Sequence, residues 1–191
     1  MSTAHPWHEL DPGEQAPKIV KAVIEISKGS RCKYELHKPS GMLVLDRVLF
    51  SAVHYPANYG LIPQTYYLDN DPLDIIVICS EELIPLSILD AKVIGIMHME
   101  DNGEQDDKIV AVAAKDVSLD YIDDISQLPP HTIHELKNFF EDYKKLENKK
   151  VEVLGFKGKE EAWKCIVESM ERYQKEIKPT LTPKLINDNK R

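Results

Sequence analysis

Asp69-Asn70-Asp71-Pro72-Leu73-Asp74 sets three carboxylates within six residues. In extended backbone Asp69 and Asp71 project from one face. Pro72 fixes φ and withholds a ladder donor, so the chain should bend there and carry Asp74 towards the same volume. Crowded carboxylates raise one another's pKa, and a hard divalent cation relieves the repulsion. An EF-hand counted from Asp69 fails, because its sixth position is Asp74 instead of glycine and its twelfth is Ser80 instead of glutamate. Magnesium fits better, since it takes few carboxylates and keeps several waters. Taken alone, the stretch also reads as a solvated acidic turn. A second acidic loop, Asp101-Asn102-Gly103-Glu104-Gln105-Asp106-Asp107-Lys108, and Glu25 in an apolar segment make a shared metal site reasonable. Their plainer readings are a hydrophilic hairpin loop and a cross-strand ion pair with Lys33.

A bare carboxylate pocket would repel phosphate; metals bridge the two, and nearby cations complete the neutralisation. Lys33 and Arg47 lie in strand-like segments, although Arg47 follows Asp46 and could simply pair with it. Tyr59 lies in the Pro/Gly-framed stretch Tyr55-Pro56-Ala57-Asn58-Tyr59-Gly60, where a phenol could enter a cleft. Tyr143 falls on the apolar face of a helix with Lys144 at its edge; each alone would be a core and a surface residue.

These residues need a scaffold. Alternation over 19–26 and 31–36, around the turn Ser27-Lys28-Gly29-Ser30, predicts two strands, with Ala22, Ile24 and Ile26 on one face of the first; if the two form a hairpin, Glu25 lies close to Lys33. Further strands are expected at 42–45, 48–55, 73–80, 89–98, 108–114 and 150–153. Helical spacing runs from Ile133 to Leu146 and from Glu161 to Ile177, the first helix opened by a capping box at Thr132–Glu135. The expected fold is α+β, mainly β: a small barrel or sandwich with two amphipathic C-terminal helices packed on it. One domain over 1–191 is expected, with an N-terminal arm at 1–17 and a loose tail at 178–191.

Lys and Arg number 24 and Asp and Glu 32, giving a net charge of −8, which disfavours nucleic acid and anionic membrane as partners. The three cysteines have no C-x-x-C spacing, so a reducing, cytoplasmic setting is expected. No secretory signal and no span-length apolar run is visible. Neither a P-loop nor G-x-G-x-x-G signals a nucleotide cradle. The competing readings are another metal-dependent phosphohydrolase and an OB-type module binding single-stranded nucleic acid.

Taken in order, Val23-Ile24-Glu25-Ile26, Lys33-Tyr34-Glu35, Asp46-Arg47, 55–60, 69–74, 101–108 and Phe139-Phe140-Glu141-Asp142-Tyr143-Lys144 resemble the family I soluble inorganic pyrophosphatases over roughly residues 5–175. The resemblance implies a five-stranded closed barrel of OB type and Mg²⁺-dependent hydrolysis of pyrophosphate to two orthophosphates. It implies metal-site roles for Glu25, Asp69, Asp74, Asp101 and Asp106, and phosphate-binding roles for Lys33, Arg47, Tyr59, Lys108, Tyr143 and Lys144. Asp71 matches the general base, with Tyr59 beside it in the catalytic set, and Glu35 matches a position of less defined role. A homo-oligomer is expected, of an order the sequence leaves open.

Overall fold

The computed structural model describes residues 4–181. Along the chain run β1 (Ile19–Ile26), β2 (Cys32–Leu36), β3 (Leu43–Val48), β4 (Asn58–Leu61), β5 (Asp74–Ile78), β6 (Ile88–Asp101), β7 (Glu104–Gln105) and β8 (Lys108–Ala113). Helix α1 (Pro130–Asp142), strand β9 (Val151–Gly158) and helix α2 (Lys159–Arg172) follow. β1 pairs with β4, β4 with β5, β5 in parallel with β8, and β8 with β6; β6 then pairs with the first half of β1. β7 and β9 extend from β6, and β2–β3 form a separate two-stranded sheet.

The apolar runs of β5 and β8 are nearly continuous because both faces are covered. Ile75 and Val77 of β5 and Ile109 and Ala111 of β8 share a core with Ala162 and Ile166 of α2. The alternate residues Ile76, Val110 and Val112 pack instead with Leu136, Phe139 and Phe140 of α1. The two-residue period of the strands thus feeds two cores from one sheet.

Strand β1 departs from simple alternation. Ile24 aligns with Gly60 and Ile26 with the adjacent Tyr59, so Glu25 is the extra residue of a β-bulge. The bulge reverses the facing beyond it: Ala22 and Ile24 enter the α2-side core, whereas Ile26 enters the α1-side core. The expected common face for all three is therefore corrected. β1 and β2 do not form a hairpin: β1 pairs with β4 and β6, and β2 with β3.

Other expectations are revised. The expected 48–55 strand is not formed: Val48 ends β3, and 49–55 instead fold over the 29–31 turn through Leu49 N–Arg31 O, Gly29 N–Tyr55 O and Tyr55 N–Ser30 O bonds. Tyr59 lies in strand β4, not in a turn. Helix α1 starts at Pro130 with no side-chain cap, Pro at the first position lacking the N–H that a cap would satisfy. The capping box is instead at Asp124–Gln127, on a 3₁₀ turn. α1 ends at Asp142, and Lys145–Glu147 form a separate 3₁₀ turn. α2 continues as a π-helical turn over Tyr173–Ile177, and Lys178–Thr180 form a 3₁₀ turn; residues 182–191 of the expected tail lie outside the described residues. The N-terminal arm is anchored by Trp7, buried against Val23, Leu36, Leu61 and Tyr173.

Candidate active site

A cavity of about 560 Å³ opens where β1, β4 and β5 meet the 69–74 and 101–108 segments. It is lined by Glu25, Lys33, Tyr59, Asp69, Asp71, Asp74, Asp101, Asp106, Lys108, Tyr143 and Lys144, along with Glu35 and Lys38. Eleven of the twelve residues singled out from the sequence are thus brought together; Arg47 is not among the lining residues. Its guanidinium pairs with Asp46 and donates from Nε to Glu147 Oε1 at 2.8 Å, while its second terminal nitrogen is buried with no hydrogen-bond partner among the described residues.

The 69–74 segment is a turn, so the extended geometry expected for Asp69 and Asp71 is corrected. Asn70 is left-handed (φ 66°), a conformation asparagine tolerates, and the Asp71 N–H donates to Asp69 Oδ1 at 3.1 Å. This sends the two carboxylates apart. Asp69 joins Asp74 and Asp106, with one oxygen from each within 4.8 Å of the others. Asp71 is half-exposed and pairs with Lys38. Asp74 is delivered by the first residue of β5, after the bend at Pro72. Asn102 and Gly103, both at positive φ, close the two-residue turn that leaves Asp101 at the end of β6.

Lys108, the first residue of β8, is buried among these acids. Its Nζ donates to Asp74 Oδ2 at 2.5 Å and also to Asp106. Burial alone would push its ammonium down, but Asp74 and Asp106 more than offset that and hold it above the usual lysine range. The Tyr59 hydroxyl donates to the same Asp74 oxygen at 2.5 Å. One lysine does not neutralise the group. Burial, then repulsion from Asp74 and Asp106, pushes Asp69 up to about 7. Burial and the neighbouring Asp74 push Glu25 up to about 8, although its Oε1 accepts the Leu36 N–H at 2.7 Å. Burial raises Tyr59 and Tyr143 well above the ordinary phenol range, so both stay protonated donors.

Every cation of the expected phosphate-binding set is held by a carboxylate: Lys33 by Glu35 and Asp46, Arg47 by Asp46 and Glu147, Lys108 by Asp74 and Asp106, and Lys144 by Asp101. An all-oxygen donor set carrying more acid than base suits a hard divalent ion. A cation entering the Asp69–Asp74–Asp106 group would compete with Lys108 for Asp74 and Asp106 and free it to face an anion. Sequence reading missed Lys38, which sits before the Pro39-Ser40-Gly41 turn and reaches Asp71 only through the fold. It also passed over Asp107 as one more acid of a polar loop, although its side chain is buried.

The family profile for inorganic pyrophosphatase matches residues 22–174. The chain is 51% identical over 178 residues to soluble inorganic pyrophosphatase 2 of Chlamydomonas reinhardtii, covering 93% of each chain. It is 51% identical to soluble inorganic pyrophosphatase 3 of Arabidopsis thaliana, covering 93% of this chain and 82% of the relative. Among solved structures, the inorganic pyrophosphatase of Thermus thermophilus superposes with a TM-score of 0.86 at 37% identity, over 90% of this chain and 99% of that one.

Proposed function

The chain belongs to the inorganic pyrophosphatase family and hydrolyses pyrophosphate, and we propose that it does so with magnesium at Asp69, Asp74 and Asp106 and with Asp71 as general base. The observation that carries this reading is the cluster of three convergent carboxylate oxygens inside a cavity rimmed by lysines and tyrosines. Bound there, magnesium would neutralise phosphate oxygens and acidify the attacking water. Glu25 and Asp101 extend the acidic wall and would hold further metal near the substrate. Asp71 is half-exposed, so its carboxylate can reach water and accept the proton as the water oxygen attacks phosphorus and the P–O–P bridge breaks. Lys108 and Lys144, whose partners Asp74, Asp106 and Asp101 would turn to metal, would join Lys33 and Arg47 in balancing the phosphate charge, and the protonated Tyr59 and Tyr143 would donate to phosphate oxygens.

The closed ring of pairings from β1 through β4, β5, β8 and β6 supports a five-stranded closed barrel of OB type. Continuity of that ring with both helical cores supports one domain. Exposed apolar Val44, Leu45, Val48 and Phe50 support a homo-oligomer, and free Cys32, Cys79 and Cys165 support a reducing, cytoplasmic setting.

Orthophosphate release tests the reaction, with Mg²⁺ and with EDTA, and with ATP and tripolyphosphate as parallel substrates. Mg²⁺-dependent release from pyrophosphate alone is expected. Undiminished release in EDTA would overturn the metal reading.

A further inference from the structure

Asp107 stands between Asp106 and Lys108, yet it does not line the cavity and is almost wholly buried. Its Oδ2 meets three side chains at 2.8 Å each: the Tyr67 hydroxyl, His98 Nδ1 and Gln105 Nε2. Its Oδ1 accepts the Met99 N–H at 3.2 Å. A carboxylate offers about four lone-pair sites. Four donors crowd this buried carboxylate, three of them on one oxygen, so it faces its protein neighbours and not the cavity.

What its partners hold is more informative. Tyr67 belongs to the turn that carries Asp69 and Asp71: its N–H donates to Asp71 O at 2.8 Å and its carbonyl accepts the Asn70 N–H at 3.3 Å. Gln105 Nε2 reaches the Tyr67 hydroxyl at 3.1 Å as well as Asp107. His98 Nε2 lies 2.8 Å from Glu161 Oε1, on the first turn of α2. The Asp107 side chain thus joins three separate pieces: the turn bearing Asp69, the β6–β7 hairpin that leads into Asp106, and helix α2. Asp69 and Asp106 must approach within 4.8 Å while repelling each other. Something beneath them has to hold that spacing.

We propose that Asp107 is a positioning residue: through Tyr67, Gln105 and His98 it fixes the distance between the Asp69 turn and Asp106, and so sets the affinity of the cluster for divalent metal. The inference rests on the reading of Asp69, Asp74 and Asp106 as the metal site. Partners behind metal ligands typically contribute 10–100-fold in affinity.

The test is calorimetric titration of the metal-free, full-length protein with Mg²⁺, well below the unfolding temperature. It compares wild type with Tyr67→Phe, Asp107→Asn and Asp74→Asn, each also scanned for thermal stability. Tyr67→Phe deletes one hydroxyl and keeps the ring. Asp107→Asn turns an amide NH₂ towards a donor on one side or the other. Expected is a roughly tenfold weaker Mg²⁺ affinity for Tyr67→Phe and a greater loss for Asp107→Asn. Turnover should recover at saturating Mg²⁺, so the half-saturating concentration rises more than kcat falls. Lowered stability with wild-type affinity in both variants would make Asp107 purely structural and overturn the proposal. Wild-type affinity in Asp74→Asn would overturn the metal-site reading beneath it. If Asp107→Asn does not fold, Tyr67→Phe decides alone.

Discussion

Glu25 and Asp69 hold their protons to about pH 8 and about pH 7 in the folded chain, against 4.5 and 3.8 ordinarily. The folded state binds these protons more tightly than the unfolded state does. Their contribution to stability is therefore complete below the ordinary values and is lost as pH rises through the folded ones. At about 1.4 kcal/mol per pKa unit the loss is on the order of several kcal/mol for buried Glu25 and less for Asp69, which solvent partly screens. In EDTA the melting temperature is expected to fall as pH rises from about 5 to 8. Metal binding needs the deprotonated ligands, so the stabilisation by Mg²⁺ should grow over the same interval. Calorimetric scans with and without Mg²⁺ would show this; equal metal-free melting temperatures at the two ends would contradict it. Asp71 presents a different case. It stands apart from the cluster, paired with Lys38. Asp71→Asn keeps shape and should leave melting within about 0.5 kcal/mol of wild type, as for an exposed position. Its kcat should drop 10²–10⁴-fold, the usual reach of a general base. Steady-state kinetics at saturating Mg²⁺ would check this, and wild-type kcat would remove Asp71 from the mechanism.

The element that aims Glu25 is the bulge in β1, and its counterpart is Gly60 in β4. A Cβ on Gly60 would lie 1.9 Å from Val23 O and 2.9 Å from Ile24 Cα, both backbone atoms that cannot step aside. Gly60→Ala must therefore part β4 from β1 next to Tyr59 and Glu25. Overpacking of this kind costs about 1–3 kcal/mol or more, and turnover should fall with stability because two cavity residues move. Chemical denaturation beside an activity assay would test both; an unperturbed variant would mean that the strands can separate without loss. The bulge also shows where sequence reading stops. Alternation located β1, and short apolar runs located β5 and β8, because both signals are local. A single inserted residue changes the facing of Ile26 without changing the pattern of letters. The same limit explains Tyr59. Pro56 and Gly60 frame it as a turn by local rules, whereas pairing of Asn58–Leu61 with both β1 and β5 makes it a strand. The acids Asp69, Asp74 and Asp106 were legible because charge crowding is written in residue type. The partition of Asp71 away from them was not, since it depends on one left-handed asparagine.

At the scale of the molecule, the arm before β1 bears on the same site. The Trp7 indole donates to Thr65 O at 2.8 Å, and its carbonyl accepts the Gln64 N–H at 2.9 Å. Thr65 Oγ1 in turn accepts the Leu73 N–H at 2.9 Å, one residue before Asp74. His5 Nε2 meets Lys38 O at 2.7 Å, and Lys38 holds Asp71. The arm therefore grips both ends of the acidic turn as well as the C-terminal turn at Tyr173, whose ring lies 6.0 Å from that of Trp7. Composition gave no hint of this, because a Pro- and Gly-punctuated terminus reads only as an extended arm, with nothing to say what it grips. Trp7→Ala should remove about 3–5 kcal/mol. In a chain of this length each kcal/mol lowers the melting temperature by about 2–4 °C, so a fall on the order of 10 °C is expected. Trp7→Phe, which retains an aromatic ring and loses the indole donor, should recover more than half of it. A melting temperature unchanged by Trp7→Ala would mean that the arm merely rests on the fold, and that the acidic turn is held from the Asp107 side alone.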